Sequence, residues 1–208
     1  MSETISERIF FDYCKIRKYE AQKLTESDEP IPDFKVKTHR GTFYCEVTQL
    51  ERNDEDKKWY EEVKQNGGSW SGSRSCAEIS KKIRNRLKDK FERKQLRPHS
   101  QADFPTLLVI FDATGRSYLN DFTLYGAMYG DHQAWISNDL NEAAIFEQGG
   151  NRQFQPDKGS YISAVAILSS TPSLEILHNN FADVPFPPIL LSDPEDKHSP
   201  RTSLKPVE

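Results

Sequence analysis

Hydrophobic positions fall into well-separated blocks along the chain. Residues 4 to about 18 carry Ile5, Ile9, Phe10, Phe11, Tyr13, Cys14 and Ile16, which predicts a helix that is apolar almost all round and therefore largely buried. After the loop ESDEPIP, two stretches at about 34–39 and 42–50 alternate apolar and polar residues around Arg40-Gly41, the pattern of a β-hairpin. Residues 51–78 form a hydrophilic insert. Its first part, ERNDEDKKWYEEVKQ, reads as a helix and its second, NGGSWSGSRS, as a Gly/Ser loop. A basic helix follows from about 77 to 96 and ends before Pro98. TLLVIFDA (106–113) is a continuous apolar run, as a strand buried on both faces would be. SYLNDFTLYGAMYG predicts a further helix, 131–158 an irregular stretch with one short helix, and YISAVAILSS and LEILHN two more strands. From 186 to 208 proline and charge dominate, which predicts a tail with little fixed structure. The succession implies a single α/β domain over 1–185, a mixed central β-sheet flanked by helices.

Composition narrows the classes. At 208 residues with 36% hydrophobic and 11% aromatic content, the chain can bury one full-sized core. A net charge of -4 argues against coating nucleic acid through overall charge, while leaving room for a local basic patch. Cys14, Cys45 and Cys76 form neither a disulfide framework nor a zinc spacing. The N-terminus, MSETISERIFFDYCK, has no apolar signal core, and no run approaches the ~18 residues of a membrane span. The expectation is a soluble, cytoplasmic protein without a membrane partner. A homo-oligomer is left open.

One strand contains a residue that its pattern does not explain. Glu46 stands among Phe43, Tyr44, Cys45 and Val47. If Arg40-Gly41 are the two central turn residues, Phe34 pairs with Val47, Val36 with Cys45 and Thr38 with Phe43 on one apolar face. Asp33, Lys35, Lys37, Tyr44, Glu46 and Thr48 then share the other face. Asp33 would lie opposite Thr48 and diagonal to Glu46, near enough for a shared ion. Two close carboxylates repel unless a proton or cation joins them, and a hard divalent ion is the natural filler. A solvated face with scattered charges is the competing explanation.

Proline followed by Asp33, then Glu46 inside an apolar strand, with a helix before and a basic helix after, resembles the PD-(D/E)xK nuclease superfamily. The later stretch YISAVAIL…LEILHNNFADVP resembles the back half of uncharacterised members. The resemblance implies a restriction-endonuclease-like core of helix, three strands, helix and strand over residues 5 to about 113. It also implies Mg2+ or Mn2+ as cofactor, with Asp33 and Glu46 as ligands and the Val47 carbonyl as a third. Glu7 on the first helix fits the acidic residue often found there, with Glu20 as its competitor. Hydrolysis of nucleic acid, DNA foremost, is the activity implied.

The sequence departs from this pattern at Thr48, where the superfamily usually places a lysine. That lysine orients the attacking water and offsets charge in the transition state. Some members carry it on the following helix instead. In ISKKIRNRLKDKFERKQL the apolar residues Ile79, Ile83, Leu87 and Phe91 sweep an arc of about 120° at 100° per residue. Lys90 falls at about 20° on that wheel and Lys94 at about 60°, both inside the apolar stripe. A lysine there must snorkel, pair with an acid or serve a site. Snorkelling accounts for Lys94 at the helix end, whereas Lys90 is the candidate for the migrated catalytic lysine.

Within that stretch, 79–96, eight basic residues stand against Asp89 and Glu92, a local surface suited to phosphates or a solvated face with i,i+4 pairing. Lys88, Lys94, Arg74 and Gln95 are the nucleic-acid candidates, with Gln95 at about 160° the weakest. The five histidines show no ligand spacing. The leading expectation is thus a metal-dependent phosphodiesterase in which Asp33, Glu46, Glu7 and Lys90 carry the chemistry. The alternative is a catalytically degenerate nuclease-like domain that binds nucleic acid or a protein partner.

Overall fold

A computed structural model describes residues 4–24, 31–52, 54–66, 76–114, 119–130, 132–135, 145–148, 151–171 and 173–191. Helix α1 (Ile5–Ile16) leads into strands β1 (Glu20–Lys23), β2 (Phe34–Thr38) and β3 (Gly41–Leu50). Three helices follow, α2 (Asp54–Asn66), α3 (Cys76–Arg93) and α4 (Arg97–Gln101), before strand β4 (Thr106–Asp112). Helix α5 (Asp121–Tyr129), the strands β5 (His132–Trp135) and β6 (Ile145–Gln148), then β7 (Ala164–Leu168) and β8 (Leu174–His178) complete the order, with a 3-10 turn at Pro188–Leu191.

Six strands form one mixed sheet in the order β1-β2-β3-β4-β7-β8, and β5 and β6 form a separate ribbon. The first three strands are an antiparallel meander, β3, β4 and β7 run parallel, and β8 returns antiparallel. The parallel step from β3 to β4 requires a crossover, and the chain between them supplies α2, α3 and α4. Alternation then divides the core into two layers. Leu107, Val109 and Phe111 of β4 join Phe10, Tyr13 and Cys14 of α1 on one face. Leu108 and Ile110 join Ile83, Leu87 and Phe91 of α3 and Leu124 and Met128 of α5 on the other. TLLVIFD is buried on both faces, as its unbroken apolar run requires.

Several expectations change. The hairpin register is displaced: Phe34 pairs with Cys45, Val36 with Phe43 and Thr38 with Gly41, so His39 and Arg40 are the turn residues. Gly41 has φ 149°, a conformation that favours glycine. The displacement is by two residues, an even step, so every side chain keeps its face. Strand β1 carries no apolar signal, because EAQK is a mostly exposed edge strand and edges are commonly polar. Helix α1 is amphipathic rather than buried all round, with Ile5 and Ile16 exposed. Among the described residues of 131–158 there is a two-stranded ribbon and no helix.

The packed chain also runs past residue 185. Phe186, Leu190 and Leu191 are buried in the α1-side core, and Phe186 meets Phe43 edge to face at 5.4 Å between ring centroids. Phe186→Ala should therefore cost about 3–5 kcal/mol of unfolding free energy, the usual penalty for emptying a core aromatic site. Urea denaturation measures it, and a change within ±0.5 kcal/mol, typical of surface positions, would place Phe186 outside the core.

Candidate active site

Strand β3 outruns β2 at its C-terminal end, and the site lies where the two part. The backbone groups of Tyr44 and Leu50 pair toward β4, Tyr44 donating to Pro105 and Leu50 accepting from Ala113. Residues between them alternate sides, so the N–H and C=O of Val47 turn away from β4 toward the β2 side. No β2 residue pairs with Val47. The Asp33 carboxylate takes that place, its Oδ2 accepting from the Val47 amide at 2.7 Å. One step beyond the last observed pair, Phe34 with Cys45, Asp33 stands across from Glu46. The Val47 carbonyl faces the same side as its amide.

Glu46 lies on the opposite layer from Val47, beneath α3, and is 3% exposed. Burial of a lone carboxylate is costly, and α3 supplies the answer. The Lys90 ammonium donates directly to Glu46 Oε1, with 10% of the lysine side chain and 4% of the glutamate side chain exposed. The wheel position of Lys90 between Ile83 and Ile79 thus delivers it to the sheet. Glu46 Oε2 is buried without a hydrogen-bond partner, so it is the oxygen a cation could ligate. Thr48, two residues on along the same face, is buried and uncharged.

Electrostatics follow from this crowding. Burial, then the neighbouring Asp33 charge, pushes the Glu46 carboxyl up to about 7 against the pull of Lys90 and Arg93. Burial also raises Asp33, and Glu7 adds to it, while the Val47 amide, Lys90 and Lys23 work the other way. Glu7 is raised by its own burial but brought below its ordinary value overall by hydrogen bonds from Thr4 and Lys23.

The remaining candidates separate. Glu7 Oε2 accepts from the Thr4 amide at 2.6 Å and its Oε1 pairs with Lys23 at 3.0 Å. It closes the capping box of α1, and its charge also reaches Asp33. Glu20 is exposed and pairs with Lys37 at 3.6 Å. Gln95 donates to the Ile31 carbonyl at 3.0 Å, so it ties the end of α3 to the segment that enters Asp33. Its Oε1 is buried and unpartnered. Lys94 is exposed and left-handed, with φ 53°, and turns the chain out of α3. Lys88 is exposed and 3.9 Å from Glu92. Arg74 lies outside the described residues. Sequence reasoning missed Lys23 and Arg93, both of which act on the acidic pair. Arg93 sits at about -40° on the helical wheel, outside the apolar stripe, so the pattern that marked Lys90 did not single it out.

No protein-family model, curated protein or solved structure matches the chain significantly. Among the described residues no group of three or more His, Cys, Asp or Glu is placed to hold a metal ion, and no helix is long and apolar enough to cross a membrane. The candidate ligand set is therefore two carboxylates and a backbone carbonyl. This fits a hard cation, which takes oxygen ligands and completes its shell with water.

A pH dependence follows with a definite sign. A carboxyl whose value is raised in the folded chain binds protons that the unfolded chain has released. Its stabilisation is complete below the ordinary 4.5 and is lost as pH rises through about 7. In divalent-free buffer the melting temperature should fall across that window, and Glu46→Gln should flatten the fall. An unchanged slope in the variant would remove Glu46 as its source.

Proposed function

We propose that the chain is a metal-dependent phosphodiesterase acting on nucleic acid, DNA in the first instance, with a restriction-endonuclease-like core. One observation carries this reading: an ammonium from α3 meets a buried carboxylate that has a second oxygen open, beside an aspartate that follows a proline. The order α1, β1, β2, β3, α3, β4, with α2 and α4 added to the crossover on either side of α3, supports it, since it contains the helix, three strands, helix and strand of the PD-(D/E)xK arrangement.

In this reading Asp33, Glu46 and the Val47 carbonyl hold a magnesium or manganese ion. When bound, the ion supplies activation of water and stabilisation of the departing oxygen. Lys90 orients the attacking water and offsets charge on the phosphate, the task that Thr48 lacks the charge to perform. Asp33 depends on Val47 and on the Gln95–Ile31 bond for its position. Arg93, Lys94 and Lys88, exposed around the end of α3, would receive the phosphate backbone.

A second reading, a catalytically silent domain of the same fold that binds nucleic acid or a protein partner, is favoured by the lack of a third ligating side chain among the described residues. Plasmid and oligonucleotide cleavage assays with magnesium or manganese separate the two. Asp33→Ala and Lys90→Met should each lower cleavage by at least about 10²-fold, in the range of lost acid–base or charge-stabilising groups, while Thr48→Ala retains most activity. Full activity in Lys90→Met would end the role given to that lysine. A wild type that binds but never cleaves would establish the silent reading. In parallel, magnesium should raise the melting temperature of the wild type but not of Asp33→Ala, because binding to the native state is linked to folding. An equal shift in both proteins would move the ion elsewhere.

A further inference from the structure

We infer that Lys90 is a resident counter-cation that competes with the divalent ion for Glu46, so that metal entry and release of the lysine toward substrate phosphate form one coupled event. This rests on reading the acidic pair as a metal site. It adds a regulatory property that neither the site residues nor the activity requires.

The argument starts from the oxygens. On each carboxylate one oxygen is already engaged: Glu46 Oε1 by the Lys90 ammonium and Asp33 Oδ2 by the Val47 amide. The Val47 amide is fixed in the backbone, and a ligand could approach without displacing it. The ammonium is different. It is a full positive charge in contact with the carboxylate, in a site where burial weakens screening by water and salt. A doubly charged ion on Glu46 Oε2 would lie within a few ångströms of it, with like-charge repulsion several times stronger than in bulk water.

The way out is built into the helix end. Lys90 belongs to the last turn of α3, where Glu92, Arg93 and Lys94 are all exposed. Its flexible four-carbon stem allows the head group to swing outward while the stem stays on the apolar stripe. The backbone has less freedom. Leu87 and Phe91 anchor the helix in the core, and Gln95 ties the residue beyond its end to Ile31. The side chain therefore moves rather than the helix, and it comes to rest on the nearest anion outside the acidic pair, a phosphate of the bound strand. Metal and phosphate then favour one another: each is bound better once the other has drawn Lys90 to its new partner, and the coupling is reciprocal.

The test is manganese affinity, measured by calorimetry in alkaline buffer without nucleic acid, for the wild type, Lys90→Met, Lys90→Arg and Asp33→Ala. Removing the resident cation should tighten binding about tenfold, equivalent to about 1.4 kcal/mol, while Lys90→Arg, which keeps a cation on Glu46, should stay near wild type. Asp33→Ala should not bind. Lys90→Gln serves as a second neutral variant if circular dichroism shows Lys90→Met to be unfolded. Binding in both neutral variants that is no tighter than wild type, with Asp33→Ala still inactive in binding, would overturn the competition and leave the metal site standing. Absence of binding in wild type and both neutral variants would overturn the competition together with the metal-dependent reading.

Discussion

A carboxylate buried beneath a helix must lose its charge or acquire a partner, and the geometry around Glu46 is organised by that requirement. The strand that carries it is central, paired with β4 at Glu46 itself and with β2 as far as Cys45, and α3 covers the side chain on the face where it stands. The Lys90 ammonium meets it from above, at a place on α3 where the pattern otherwise calls for an apolar residue. Breaking such a pair from one side leaves an uncompensated buried charge and typically costs 3–5 kcal/mol. The site is thus tied to the docking of α3 on the sheet.

That docking in turn orders the approach to Asp33. Helix α3 ends in a left-handed Lys94, after which Gln95 reaches back to the Ile31 carbonyl. Asp33 lies two residues further on, where it takes the backbone position that β2 leaves open beside Val47. Two elements distant in sequence, the end of α3 above the sheet and the start of β2 within it, are therefore held beside the same strand. The local backbone and the buried charges agree on one arrangement of the acidic pair.

Much of this was legible in the chain because period and burial leave strong traces. The apolar run of β4 and the four-residue spacing of Ile79, Ile83, Leu87 and Phe91 set the buried strand and the facing helix, and the wheel angle of Lys90 followed from them. The hairpin register did not follow, because the glycine at Gly41 closes the turn rather than forming its centre. The faces survived since the displacement is even. Strand β1 was invisible because a polar edge strand is specified by its neighbour rather than by its own residues. The contacts of Glu7 were not legible for a different reason. Helical position says where an acid lies, but the Thr4 capping box and Lys23, which occupy both its oxygens, depend on contacts that the spacing alone does not fix. Phe186 and Leu190 were hidden by the prolines around them, although their size is what fills the core beside Phe43.

The central claim is that Lys90 and Glu46 act as one unit across the helix–sheet interface. A double-mutant cycle on unfolding free energy, built from Glu46→Gln, Lys90→Met and the double variant, measures that unit directly. Because the pair is buried and in contact, the coupling should lie between about 1 and 3 kcal/mol in favour of the pair, within the range for residues that share a hydrogen bond or ion pair. Additive single effects, with coupling within about 0.3–0.5 kcal/mol of zero, would contradict the account, because the two side chains would then be stabilised independently of one another.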